Sequence, residues 1–232
     1  MAAYFTWAGI SDNTQWYNST KAQGQYQKYI EAVVSRYTDS PAVFAWELAN
    51  EPRCKGCDTS VITTWIKDTA AYIKSLDGAH MVTHGEEGFG LETGSDGTYP
   101  YTYTEGTDFA ANCAVADIDF CTYHLYPESW GVSPAQTWGN SWIENHGKAC
   151  QELGKPCVLE EFGYNDNCEV EGSWEATSLA TRDAGNAMDM FWQYGDTLST
   201  GQTSQDGNTV FYGTDLYECL VTDHVADIDA AA

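Results

Sequence analysis

Apolar residues follow two alternating rhythms along this chain. Five short runs, at residues 43–50, 80–87, 118–127, 156–163 and 188–195, are apolar or aromatic on both faces. Strands covered on both sides require that pattern. The runs start roughly 32 to 38 residues apart, and helical patterns follow them, so the spacing predicts repeated strand–helix units. Residues 21–38 place Tyr26, Tyr29, Ile30, Val33, Val34 and Tyr37 at helical spacing, and residues 59–76 do the same with Ile62, Trp65, Ile66, Ala70, Ile73 and Leu76. Further helices are predicted over 136–153 and 174–187, a short one over 107–114, and a last one over 216–229. Loops are predicted at 86–105, 164–172 and 195–213, lengths that usually serve binding in a compact domain. The first strand comes only near residue 43, with a loop predicted at the start of the chain.

Strand–helix repetition of this kind builds a parallel α/β barrel, whose chemistry gathers on the loops after the strands. Two motifs fall at such strand ends. The first is Trp46-Glu47-Leu48-Ala49-Asn50-Glu51-Pro52, and the second is Val158-Leu159-Glu160-Glu161-Phe162-Gly163. Two carboxylates placed there suit hydrolysis of a glycosidic bond, one as acid/base and one as nucleophile. Glu51 is therefore a candidate acid/base and Glu161 a candidate nucleophile. A strand-end acid bonded to a helix N-terminus is the structural alternative for Glu51. Glu160 is the rival to Glu161, because alternation along a strand sends one side chain to the barrel mouth and the other towards the helices. Glu47, well inside its strand, is expected to be a buried structural acid.

Composition narrows the partners. Against 34 acidic residues stand 10 basic ones, a net charge of −24, which argues against nucleic acid and anionic membranes. A neutral polysaccharide is not repelled. Aromatics make up 14% of the chain, including 9 Trp and 15 Tyr, more than core filling needs and suited to the apolar faces of sugar rings. The 232 residues suffice for one large domain with a real core. No apolar run is long enough to span a membrane.

Eight cysteines form an even set. Cys54-Lys55-Gly56-Cys57 has the spacing of a zinc or redox motif, but no second such pair and no nearby His accompany it. Disulfides, and so an oxidising compartment, are the expectation. The sequon Asn18-Ser19-Thr20 agrees with secretion. His80, His84, His146 and His224 show no paired-ligand spacing, so neither a metal nor another cofactor is expected.

Taken together, Asn50-Glu51-Pro52 and Glu161-Phe162-Gly163 resemble the acid/base and nucleophile motifs of glycoside hydrolase family 5. Residues 46–57, His124-Leu125-Tyr126-Pro127 with Ser129-Trp130, and residues 191–196 resemble the fungal endo-β-1,4-mannanases of that family. The resemblance implies a (β/α)8 TIM barrel, retaining hydrolysis and no metal. It places the acid/base on Glu51 and the nucleophile on Glu161. It implies that Asn50 holds the sugar 2-hydroxyl, that Arg53 contacts sugar on the aglycone side, and that Glu87, His124, Tyr126, Trp130 and Trp192 line the cleft. It also implies the disulfides 54–57, 150–157 and 168–219. Cys113 and Cys121 are paired only by parity and proximity.

The same residues have plainer readings. His124 and Tyr126 share a parity and should face one side of their strand, yet a core His bonded to backbone is the alternative for His124. Trp192 is either the floor of a sugar subsite or barrel filler. Trp130, on a loop, suits stacking. The predicted function is endo-hydrolysis of mannan, glucomannan or galactomannan by a secreted, extracellular protein. A family 5 endoglucanase and a non-catalytic carbohydrate binder are the alternatives.

A full barrel takes about 250 residues and eight strands, and five are counted here. The expected architecture is thus one domain over 1–232, an incomplete barrel carrying the fourth to eighth strand–helix units. Open strand edges expose unpaired backbone groups. The chain alone is therefore expected to be poorly soluble, to associate with itself, or to depend on a complementary N-terminal fragment.

Overall fold

The computed structural model describes residues 2–232. It begins with helix α1 (Ala2–Ala8), where the sequence predicts a loop. Three alanines in seven positions favour the helix, and Tyr4 packs edge-on against Trp16 at 5.8 Å. Helix α2 (Thr20–Val34) starts where the Ser19 side chain accepts the Ala22 N–H, an ordinary N-cap. Strand β1 (Ala45–Glu47), helix α3 (Ser60–Leu76), strand β2 (Met81–Thr83) and helix α4 (Phe109–Cys113) follow. Then come strand β3 (Cys121–Leu125), helix α5 (Ala135–Leu153), strand β4 (Cys157–Phe162), helix α6 (Cys168–Ala180) and strand β5 (Asn186–Asp189). The chain closes with helix α7 (Asp215–Tyr217), a π-helical stretch at Glu218–Asp223 and helix α8 (His224–Ala231).

Two compact units divide the chain, Met1–Thr122 and Tyr123–Ala232. In the first, β1 and β2 pair in parallel, Ala45 opposite Met81 and Glu47 opposite Thr83. Their core joins Trp16, Tyr17, Ile30, Val34 and Leu48 to Ile62, Trp65, Ile66 and Ile73 of α3. The α3 pattern read from sequence is the buried face. The α2 pattern is only partly so: Ile30 and Val34 are buried, but Tyr29 is 60% exposed.

In the second unit, α5 contacts β4, and Trp142, Ile143 and Ala149 of the helix and Val158, Leu159 and Phe162 of the strand are all buried. Gly139 is required here, since a Cβ would stand 2.2 Å from the Trp174 indole nitrogen on α6. Strands run in the order β3-β4-β5, with β4 and β5 parallel.

The five predicted strands therefore form sheets of two and three rather than one ladder. At β2, the Asp119 carboxylate takes the Val82 N–H at 2.7 Å, so a side chain occupies a donor that a neighbouring strand would otherwise use. The fifth strand also lies earlier than its apolar run. It ends at Asp189, and Tyr194–Gly195 instead pairs with Val210–Phe211. The predicted loop at 164–172 gives way to α6 at Cys168, because the Asn167 side chain caps that helix on the Val170 N–H. No helix among the described residues is long and apolar enough to cross a membrane.

All eight cysteines are bridged: Cys54–Cys57, Cys113–Cys121, Cys150–Cys157 and Cys168–Cys219.

Candidate active site

Each unit presents one of the predicted carboxylates. Glu51 leaves β1 on a turn whose backbone is left-handed, φ 51°. A non-glycine residue there stores strain, and such strain gathers at functional sites. The turn is fixed by the Glu51 N–H bonding the Gly85 carbonyl at 2.8 Å. Gly85 comes so close that a Cβ would meet the Ala49 carbonyl at 2.1 Å and a Glu47 carboxylate oxygen at 2.5 Å, and its own φ is +77°. The sequence Thr83-His84-Gly85 thus ends β2 with the one residue that lets the two strand ends meet.

Arg53 follows Glu51 and anchors an ionic web. Its guanidinium is clasped by the buried Glu87 carboxylate through Nε and an Nη. It also lies 3.8 Å from Glu51 and 3.7 Å from Glu105, and over the Phe89 ring at 4.9 Å. Burial works against the Arg53 charge, but the Glu87 bonds and charge outweigh it, so the pKa rises. Beside this web an open cavity of about 790 Å³ is lined by Asn13, Arg53, Lys55, Tyr99, Thr104 and Glu105. Asn50 is exposed at the strand end. Glu47 is exposed too, not the buried acid that its strand position predicts; β1 pairs only with β2 among the described residues, which leaves its other edge uncovered.

Glu161 sits near the end of β4. The Tyr126 hydroxyl donates to Glu161 Oε2 at 2.7 Å. The fully buried His124 turns Nδ1 towards the same oxygen at 3.7 Å. The shared parity of His124 and Tyr126 therefore holds. His124 Nε2 meets Glu160 Oε2 at 3.4 Å, so the imidazole lies against both glutamates. Simple alternation, which turns Glu160 away to the helices, fails here. The His124 carbonyl accepts from the Trp142 indole at 2.9 Å, locking the ring's backbone.

Trp192 is 42% exposed, not barrel filler. Its N–H bonds the Phe162 carbonyl, one residue after Glu161, at 2.9 Å. Its indole donates to Asp206 at 2.8 Å, and Gln193 donates to the same carboxylate. Trp130 packs 5.6 Å from Trp142 and 6.1 Å from Trp138, and its N–H bonds the carbonyl of Tyr126 at 3.2 Å. Sequence reasoning missed Glu105, Lys55 and Tyr99 beside Arg53, and Asp206 under Trp192. Lys55 stands two residues from Arg53 but no charge pattern marks it, and the others come from loops farther along the chain.

Comparison with known proteins gives these strand ends a family. Residues 2–219 match the family model for GH family 5 beta-mannosidase-like proteins. The chain belongs to that family. It is 56% identical over 235 residues to the mannan endo-1,4-beta-mannosidase A of Aspergillus aculeatus, covering 99% of this chain and 60% of the relative. Among solved structures, the endo-1,4-beta-mannanase of Rhizomucor miehei matches with a TM-score of 0.88 at 32% identity, covering 99% of this chain and 68% of that one. The endo-beta-1,4-mannanase of Thermotoga petrophila matches at 0.87 and 30% identity, covering 98% and 55%. These are family TIM barrels, of which the chain carries part. It spans 52–63% of the length of the first two curated relatives it matches.

Proposed function

We propose that this chain carries the catalytic residues of a retaining endo-β-1,4-mannanase acting on mannan, glucomannan or galactomannan. Glu51 is the acid/base: it protonates the leaving oxygen and later takes a proton from water. Glu161 is the nucleophile that attacks the anomeric carbon and forms the glycosyl-enzyme. The observation that carries this reading is the hydrogen bond from Tyr126 to Glu161. A neutral hydroxyl donor orients a carboxylate and favours its ionised form, which a nucleophile needs and a general acid does not. Arg53, held by Glu87, offers guanidinium donors to sugar hydroxyls beside an open cavity. Asn50 is assigned to the sugar 2-hydroxyl, and Trp192 and Trp130 to stacking on sugar faces.

The names of the relatives support mannan over other β-glycans. Four disulfides support secretion, and the exposed Asn18 is a suitable glycan acceptor. Reducing-sugar release separates the readings. The account expects release from mannan and little from carboxymethyl cellulose. Preference for cellulose would make the chain an endoglucanase. Binding of mannan without release, by the chain alone and by the chain joined to the N-terminal part of a curated relative, would leave only the carbohydrate binder. In a crystal structure of the active protein the two carboxyl groups should stand about 5 to 5.5 Å apart, and a separation near 9 Å would contradict retention.

A further inference from the structure

Away from Glu161, the second unit buries three metal-ligating side chains together. Glu175 lies on α6, Asp189 ends β5 and His224 opens α8. One ligand atom from each lies within 4.8 Å of the other two. His224 Nε2 and Asp189 Oδ1 are 2.9 Å apart. Glu175 is 2% exposed, and no hydrogen-bond donor reaches its carboxylate among the described residues. It is a buried acid within 4.8 Å of another acid. That arrangement costs several kcal/mol if both are ionised.

The surroundings add negative charge. Glu171 acts on Glu175, and Asp227 acts on His224. Tyr123, also facing Asp189, is uncharged at neutral pH, since burial and that carboxylate push its pKa up. Among the described residues, no lysine or arginine forms an ion pair with Glu175, Asp189 or His224. A cation held among the three would neutralise the two buried acids.

We propose that Glu175, Asp189 and His224 form a zinc site that pins α8 to β5 and α6. One imidazole and two carboxylates suit Zn²⁺, which binds His nitrogen at about 2.0–2.1 Å and carboxylate oxygen at about 2.0–2.2 Å. Ca²⁺ prefers oxygen ligands throughout, and Mg²⁺ keeps most of its waters. Ligands on a tetrahedral zinc stand roughly 3.3 Å apart, by those same bond lengths. The His224–Asp189 pair therefore opens slightly and Glu175 closes in. The side chains of His224 and Asp189 are 9% and 11% exposed, so the group is not wholly sealed from solvent. Local spacing does not reveal the site, because its ligands come from three separate elements.

The test uses the folded, soluble chain, alone or joined to the N-terminal part of a curated relative, stripped with EDTA and dialysed, then titrated with ZnCl₂ in calorimetry. Excess Ca²⁺ and 0.15 M NaCl are present to occupy the acidic surface. One zinc per chain should bind, with release of protons and a rise in the thermal midpoint. Glu175→Gln, which keeps the shape and removes the ligand charge, should weaken binding by about 100-fold or more, with His224→Gln as an independent second variant. Circular dichroism confirms that each variant is folded. Absence of one-to-one zinc binding in the unsubstituted chain overturns the proposal whatever the variants do. Equal zinc affinity in a folded variant overturns it as well.

Discussion

Glu51 and Glu161 are fixed by opposite means. Glu51 sits on a strained turn after a strand of three residues, steadied by backbone contacts to Gly85 and by the charged web of Arg53, Glu87 and Glu105. Glu161 sits within a strand of six residues, steadied by a neutral tyrosine hydroxyl and a buried histidine. The contrast fits the proposed roles. An acid/base must change protonation during the cycle, and nearby charges of both signs can tune it. A nucleophile must keep one ionised state and one direction, which a rigid strand and a neutral donor provide.

Removing the proposed nucleophile should break the comparison most. Glu161→Ala is expected to lower kcat on mannan by about 10⁴-fold or more, with partial rescue by azide. Glu51→Ala should spare activity on substrates with very good leaving groups, because those need no proton. Steady-state kinetics on natural and activated substrates, with and without azide, distinguishes the two patterns. If azide rescues Glu51→Ala and not Glu161→Ala, the roles are exchanged.

Gly85→Ala should damage the Glu51 side alone. Its Cβ meets backbone at 2.1 Å, so a loss of about 3 kcal/mol or more is expected from the clash and the positive φ together. Urea unfolding measures it. An unchanged midpoint would show that the strand ends do not need this close approach.

Tyr126→Phe sharpens the Glu161 side. Loss of a hydrogen bond to a charged group costs about 1.5–3 kcal/mol, so kcat should fall roughly 10- to 100-fold with little change in fold. A variant with full kcat would remove Tyr126 from the mechanism.

The smallest expected effect is the pH dependence of stability, measured by thermal unfolding with EDTA present. Burial raises the pKa of Glu171 to about 7 and of Glu175 to about 9. An acid raised on folding favours the folded state while protonated. Stability should therefore decline as pH climbs from about 4.5 through 7 towards 9, on the order of a few kcal/mol. At Asp77 in the first unit the sign reverses, although the buried Glu86 of that unit is raised like Glu175. Burial alone would raise the Asp77 pKa, but bonds from Trp46, His80 and backbone lower it to about 2. Its contribution is present above about 4 and disappears as pH falls through 2. Maximum stability should fall in mildly acid solution. A maximum above pH 8 would contradict the buried-acid account.

Much of this molecule was legible in sequence where periodicity and chemistry coincide. Ile62, Trp65, Ile66 and Ile73 face the core as their spacing predicts, and both carboxylates lie at strand ends. Legibility failed where a side chain overrode the pattern. The Asn167 cap starts α6 early, Asp119 takes a ladder donor from β2, and β5 ends at Asp189 although apolar residues continue. The web around Arg53 and the Glu175–Asp189–His224 group were beyond reach, since only tertiary structure assembles them.

The most direct test of the central claim is to trap the intermediate. The protein is treated with a 2-deoxy-2-fluoro mannosyl fluoride, which slows breakdown of a glycosyl-enzyme, then digested and sequenced by tandem mass spectrometry. The account predicts one fluoromannosyl group on Glu161. A label on Glu160 or Glu51, or none on protein that hydrolyses mannan, would contradict it.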